Sequence, residues 1–334
     1  LFFVFAIARP LIKSTGILGT FGKLKKNWVI VVDNSYSMGY KTGPTTAFER
    51  AIKAARNLID RLDNGDRIAI VKMNSEPEPL YETPVTIAGS KDIKAVLADV
   101  NEIRLSYKTT DVPKTLDKVI GILGKFEEVP EGSEAKEEKV VYLISDCQYN
   151  AWAQQGTVAN EHLKKIAKAL NRQKAQLQVL DVGELEAPNF AITDLRCNHA
   201  LIGLDMPVCF EATIKNFSKR EFSDVVVSLM VDDLTQKSVT VQLQPGMSEK
   251  VSFPYQFKDR GFHHVQVSAK ADPLDADNEA YLAVRVLERI NVLVVDGRPS
   301  TSAWESETDY LKAFFHAGFS EEERSRISPY FGVF

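Results

Sequence analysis

Asp33, Ser35 and Ser37 alternate in the stretch Asp33-Asn34-Ser35-Tyr36-Ser37, so one carboxylate and two hydroxyls can turn toward a single point. Donors made only of oxygen suit a hard cation. Few carboxylates with retained waters suit Mg2+, or Mn2+, better than a fully caged Ca2+. Thr109-Thr110-Asp111 and Ser145-Asp146 offer further oxygens of the same kind, and either Thr109 or Thr110 can supply the hydroxyl of the second group. A short Asp-x-Ser-x-Ser pattern also arises in turns closed by an Asx or hydroxyl side chain. Three oxygen-bearing groups in succession favour a metal site over capping. Tyr36, Met38 and Tyr40 flank the first group and are expected either to pack within the loop or to meet a partner at its opening.

Catalysis finds little support. Hydrolysis needs a nucleophile with a base in reach. The histidines, His162, His199, His263, His264 and His316, all fall far from Asp33 and Asp146 in sequence patterns of other elements. No HExxH, Walker A or GxSxG pattern is present. Cys147 follows Asp146 but has no identified histidine partner and reads as a semi-buried thiol. The chain is therefore expected to bind rather than to catalyse; the alternative is a membrane-associated scaffold whose metal site is purely structural or degenerate, or the non-catalytic part of a larger protein.

A site of this kind needs a frame that brings three loops to one edge. In open parallel sheets, ligands bind beyond the carboxyl ends of the strands. Residues 28–32 are wholly apolar and read as a buried central strand that delivers Asp33. Phe48, Ile52, Ala55, Leu58, Ile59 and Leu62 recur at helical spacing, Asn64-Gly65-Asp66 ends that helix, and residues 67–73 read as the next strand. Leu116, Val119, Ile120, Leu123 and Phe126 mark a second helix, entered through Thr109-Thr110-Asp111. Residues 127–139, with Pro130 and Gly132, read as a solvated loop before a strand at 140–145. Leu163, Ile166, Ala167 and Leu170 mark another helix, and residues 177–182 a last strand. The pattern predicts an α/β domain over residues 27–184, with a doubly wound, mostly parallel, Rossmann-like sheet and all three oxygen groups on one edge.

Beyond Pro188 the apolar period changes from that of helices to that of strands. Residues 225–231, 239–243, 251–257, 263–269 and 281–286 are short strands between turn residues, which predicts an all-β, immunoglobulin-like sandwich over residues 188–287. Residues 290–295 then read as a strand, Asp296-Gly297-Arg298-Pro299-Ser300 as a loop and 310–315 as a helix, the truncated start of an α/β domain over residues 289–334. Neither a Gly-rich phosphate loop nor a nucleophile elbow follows Asp296-Gly297.

The three oxygen groups together resemble the metal-ion-dependent adhesion site (MIDAS) of the von Willebrand factor A (VWA) family, across about residues 27–183. Asp33, Ser35 and Ser37 match that family's Asp-x-Ser-x-Ser element, Thr110 its later Thr, within Thr-Asp-x-x-x-x-Leu, and Asp146 its later Asp. The resemblance favours Thr110 over Thr109, because Thr110 precedes Asp111. It implies that the hydroxyls bind the ion directly while the carboxylates act through waters or from behind. An ion held by neutral hydroxyls keeps unquenched charge and takes a carboxylate from a partner protein. Cys147 departs from the pattern, since the family often has Gly there. The order of the segments, from an apolar stretch and Ala8-Arg9-Pro10 to Val-Leu-Val-Val-Asp-Gly at 292–297, also resembles bacterial membrane proteins of the aerotolerance (Bat) type. Some of those carry a glutamine-amidotransferase-like domain after the sandwich. That resemblance implies a single- or multi-pass anchor in a bacterial inner membrane, with the side left open. It also implies a MoxR-type AAA+ ATPase or other membrane-complex subunits as partners.

The 334 residues suffice for two or three domains. The net charge of -4 arises from 41 basic and 45 acidic residues mixed along the chain, which leaves no basic face and disfavours nucleic acid. Cys197 and Cys209 can pair if they lie on facing strands; buried free thiols are the favoured reading. Residues 1–8 are apolar and are followed by Arg9, Lys13, Lys23, Lys25 and Lys26 with no acid before Asp33. They read as the end of a transmembrane helix over residues 1–12 with a basic, cytoplasmic-type linker at 13–26. The alternative is a buried helix or strand of a soluble fold, because a span takes about 20 residues. Asp272, Asp275, Asp277 and Asn278 read as a turn, with a Ca2+ loop as the other reading.

Overall fold

The computed structural model describes residues 25–126, 137–154, 157–158, 160–184, 187–270, 272–288, 295–298, 300, 302 and 304–316. The chain divides into two compact units: Leu1–Asn189 with Asp272–Ala276, and Phe190–Ala271 with Asp277–Phe334.

In the first unit the described elements are β1 (Lys25–Asp33), the hairpin β2 (Lys41–Thr42) and β3 (Thr45–Thr46), α1 (Ala47–Ile59), β4 (Arg67–Met73), β5 (Glu78–Pro79), β6 (Val85–Thr86), α2 (Ser90–Asn101), α3 (Val112–Leu123), β7 (Glu137–Ser145), the hairpin β8 (Ala153–Gln154) and β9 (Thr157–Val158), α4 (Asn160–Arg172) and β10 (Ala175–Asp181). The sheet runs β10-β7-β1-β4-β5. β10, β7, β1 and β4 are parallel, while the short β5 and β6 pair antiparallel with β4, so the sheet is mixed.

β1 lies at the centre because it is apolar on both faces. Trp28, Ile30 and Val32 pack with Ala51, Ala55 and Ile59 of α1 and Val96 and Val100 of α2. Val29 and Val31 pack on the opposite side with Leu116 and Val119 of α3 and Ile166 and Leu170 of α4. Each such side chain taken fully from water contributes about 1.5–3 kcal/mol. Helix starts are fixed locally. Thr46 Oγ1 accepts from Glu49 N at 3.1 Å while Glu49 Oε2 accepts from Thr46 N at 2.8 Å, a capping box at α1. Asp111 caps α3 by accepting from Lys114 N at 2.9 Å, with Pro113 in the first turn, where a missing N–H is harmless.

Two differences from the sequence expectation have simple causes. α2 was not anticipated, although Ile93, Val96, Leu97 and Val100 all pack toward the core; the lysines and aspartates between them dilute the period. β7 begins at Glu137 rather than at residue 140, because Glu137 is held by Arg67 Nη2 at 2.6 Å and Asn27 Nδ2 at 2.9 Å. Residues 127–136 of the expected loop lie outside the described residues.

The second unit contains β11 (Phe190–Cys197), β12 (Ile202–Gly203), β13 (Pro207–Asn216), β14 (Phe222–Val231), β15 (Leu234–Leu243), β16 (Ser248–Gln256), β17 (Gly261–Ala269), β18 (Glu279–Leu287) and α5 (Asp309–His316). A three-stranded sheet, β11-β13-β16, and a five-stranded sheet, β12-β18-β17-β14-β15, contribute to one core around Phe190, Phe210, Phe253, Phe257, Val227, Leu229, Val265 and Val267. Inward apolar and outward polar positions alternate, as expected of sheets with one solvated face. β11, β12 and β13 add to the strands expected from the sequence. Cys197 lies opposite Phe210 and packs against the core, whereas Cys209, one residue off that register, faces the other way. Both thiols are free.

Asp272 Oδ1 accepts from Leu274 N at 2.7 Å, the self-capping of an Asx turn. Among the described residues, no group of three or more His, Cys, Asp and Glu side chains is placed to hold a metal. The expected terminal helix appears as α5. Residues 290–294 of the expected strand 290–295, the segment 317–334 and residues 1–24 of the expected transmembrane helix and linker lie outside the described residues, and Lys25 and Lys26, expected in the linker, begin β1. Among the described residues no helix is long and apolar enough to cross a membrane.

Candidate metal centre

Asp33 ends β1 with its side chain fully buried, and the chain then turns through a short 3-10 segment, Tyr36–Gly39. Asp33 Oδ1 accepts from Ser35 N at 2.9 Å and from Ser35 Oγ at 2.7 Å. Asp33 Oδ2 accepts from Ser145 Oγ at 2.6 Å, which ties the ends of β1 and β7 together. Ser35 Oγ lies 3.2 Å from Ser37 Oγ, and the Ser37 hydroxyl reaches Asp146. Asp33, Ser35, Ser37 and Asp146 therefore form one connected set of oxygens at the carboxyl edge of the sheet. The alternating pattern works because the turn folds both serines back toward the strand end they leave.

Burial has a cost for the charged form here. Desolvation pushes the Asp33 carboxyl up to about 6, with hydrogen bonds from Ser145 and Ser35 pulling it down and the charge of Asp146 adding to the rise. Asp146 is raised as well, chiefly by burial, against hydrogen bonds from Ser37, Gln148 and Ser145. Burial, then the carboxylates Asp181, Asp146 and Asp33, push the Cys147 thiol up to about 12, the opposite of what a nucleophile needs.

The donor set fits a small divalent cation on two observations. Asp146 Oδ2 is buried with no hydrogen-bond partner among the described residues. An unsatisfied buried carboxylate oxygen is costly, and a cation is the group that would satisfy it. The remaining donors are neutral hydroxyls and one further carboxylate, the hard-oxygen chemistry of Mg2+ or Mn2+.

The second loop is fastened to the first. Asn34 O accepts from Ser106 N and Ser106 Oγ, each at 2.8 Å, Lys108 O accepts from Tyr36 N at 3.0 Å, and Thr109 O accepts from Ser75 N at 2.6 Å. Asn34 Nδ2 donates to Arg104 O at 3.0 Å. These bonds bring residues 106–110 alongside the Asp33 turn, with Thr110 half-buried beside an exposed Thr109. Of the two readings open for Met38, packing holds and partner contact does not: it is 0% exposed, folded by the 3-10 turn into the core with Ile30, Val32 and α1. Tyr36 and Tyr40 are half-buried.

Several participants were missed by sequence reasoning. Ser145 offers an oxygen in the sequence but not its bond to Asp33, and Asn34 gives no sign of its bond to Arg104 O; neither residue type advertises a long-range bond. Tyr107, 90% exposed, and Tyr149, 67% exposed, stand on the second and third loops. Cys147 adopts φ 53°, a left-handed conformation that suits Gly.

Among solved structures, a CARDB domain from Pyrococcus furiosus in complex with di-metal ions is 18% identical, with a TM-score of 0.29 over 30% of this chain and 90% of that one. An aerotolerance-related membrane protein from Bacteroides fragilis is 16% identical, with a TM-score of 0.34 over 52% of this chain and 76% of that one. Proximal thread matrix protein 1 from mussel byssus, with a zinc-occupied MIDAS motif, is 12% identical, with a TM-score of 0.35 over 47% of this chain and 37% of that one. No curated protein matches the chain by sequence. The sequence model of the von Willebrand factor type A domain matches residues 28–148, the stretch that carries every proposed metal-site residue from Asp33 to Asp146, and the chain thus contains a domain of that family.

Proposed function

We propose that this chain is a metal-dependent protein-binding module whose VWA domain recognises an acidic side chain of a partner. The observation that carries the reading is the connected set Asp33, Ser35, Ser37 and Asp146, in which the buried Asp146 Oδ2 has no hydrogen-bond partner among the described residues. Thr110 supplies the remaining hydroxyl from the second loop. A bound Mg2+ or Mn2+ would supply a positive centre with open coordination for a carboxylate. The hydroxyls of Ser35, Ser37 and Thr110 would hold it, with Asp33 and Asp146 balancing its charge. Tyr107 and Tyr149 supply exposed aromatic contact area on the same two loops, the residue type that anchors many interfaces. Tyr36 and Tyr40 border the opening. The raised Cys147 thiol supports a binding rather than a catalytic role.

The finer parts of the reading rest on sequence pattern. The sheet of the first unit is of the doubly wound type, and the second unit is an immunoglobulin-like sandwich. The module is held at a bacterial inner membrane by an apolar segment upstream of the domain, as in Bat-type proteins. A MoxR-type AAA+ ATPase or another membrane-complex subunit offers the acidic residue.

Calorimetric titration of Mn2+ and Mg2+ into the whole chain tests the site. Saturable binding is expected, lost in Asp33→Ala and weakened at least tenfold, about 1.4 kcal/mol, in Thr110→Ala with folding retained. A folded wild type that binds neither ion overturns the reading.

A further inference from the structure

Gly183 follows β10 and faces the backbone of Asp146 at close range. A Cβ at position 183 would stand 2.6 Å from Asp146 O, 3.0 Å from its Cα and 3.1 Å from its carbonyl carbon. These are main-chain atoms, so no side-chain rotation relieves the clash. Gly183 is also absent from the residues with left-handed backbone, so space rather than conformation demands the glycine.

The segment bearing Gly183 has little freedom to retreat. Val182 N donates to Ser145 O at 2.9 Å, continuing the β10–β7 ladder, and Gly183 N donates to Asp181 Oδ1 at 2.8 Å. Arg50 of α1 donates to Val182 O twice, from Nε at 3.1 Å and from Nη2 at 2.7 Å, and its Nη2 lies 3.7 Å from Glu184 Oε1. The loop opposite is the softer party. It carries Cys147 at φ 53°, and the bonds from Cys147 N to Ser145 Oγ at 3.2 Å and from Gln148 N to Asp146 Oδ1 at 3.5 Å are long. A side chain at position 183 would therefore displace Asp146 rather than the segment that carries it.

We infer that Gly183, braced by Arg50, is a positioning residue that sets where Asp146 stands in the metal centre. The inference rests on the metal-binding reading. α1 follows the Asp33 turn in the chain and Arg50 projects from its first turns, so one helix joins the first metal loop to the segment that fixes the third.

The test counts free Mn2+ by electron paramagnetic resonance over whole-chain wild type, Gly183→Ala and Arg50→Ala, each with a thermal melt in chelator. At least tenfold weaker Mn2+ affinity is expected for Gly183→Ala and a smaller loss, above threefold, for Arg50→Ala, in protein that is folded at the temperature of the titration. Wild-type affinity in both variants, with only the melting temperature lowered, overturns the inference and reduces the contact to packing. A wild type that binds no Mn2+ removes the metal reading itself and the inference with it. If Gly183→Ala does not fold, Arg50→Ala decides by the same criterion.

Discussion

Asp33 combines complete burial with a carboxyl pushed up to about 6, and the pair of facts has a measurable sign. Its folded value lies above the unfolded value of 3.8, so the folded chain holds the proton more tightly than the unfolded one. The resulting penalty is fully present above about pH 6 and is gone below the unfolded value. It amounts to about 3 kcal/mol for a shift of this size. Metal-free protein should accordingly gain stability from this group as pH falls from 7 to 4, and Asp33→Asn should flatten that part of the profile, as read by urea unfolding in chelator. Cys147 offers a second case. A non-glycine residue in left-handed backbone costs about 1 kcal/mol or more, partly offset by the entropy that glycine loses on folding. Cys147→Gly should leave stability unchanged or raise it by up to about 1 kcal/mol and keep Mn2+ affinity, whereas Cys147→Val should lower the melting temperature.

Helix α1 is started by reciprocal bonds between Thr46 and Glu49, and Arg50 extends from the same turn. Thr46→Ala should cost about 1 kcal/mol of stability, visible as a lower denaturation midpoint at unchanged slope. The central strands and the loops that leave them were legible in the sequence, because an unbroken apolar run that ends in Asp33 or in Ser145-Asp146 states both burial and exit. α2 was hidden by its charged residues, although Ile93, Val96, Leu97 and Val100 keep helical spacing. Met38 stayed undecided between packing and contact because linear proximity to Ser37 says nothing of which way a tight turn points a side chain. Gly183 could not be found at all: its role lies in an approach to Asp146 across neighbouring strands, and a glycine spells no partner.

Each unit has a core of its own, around Val31 and Ile30 in one and around Phe210 and Phe253 in the other. Mg2+ should therefore stabilise the unfolding transition that belongs to the VWA domain, by about 3 kcal/mol at a hundredfold excess over Kd. In scanning calorimetry the transition lowered by Val31→Ala should respond to Mg2+, and the one lowered by Phe253→Ala should not. The placement of β1 also has a bearing on how such a chain can change. β1 is paired along both edges, with Asp33 opposite Met73 on one side and Val32 opposite Ile144 on the other, and its side chains are buried above and below. The Asp33 turn is thus anchored to the least yielding part of the domain and serves as a fixed reference for the site. On the proposed function, adaptation to a new partner would fall to residues 104–111 and 146–152, while the strand that carries Asp33 stays as it is. A strand that cannot move beside loops that can would let one scaffold take on different partners without being rebuilt.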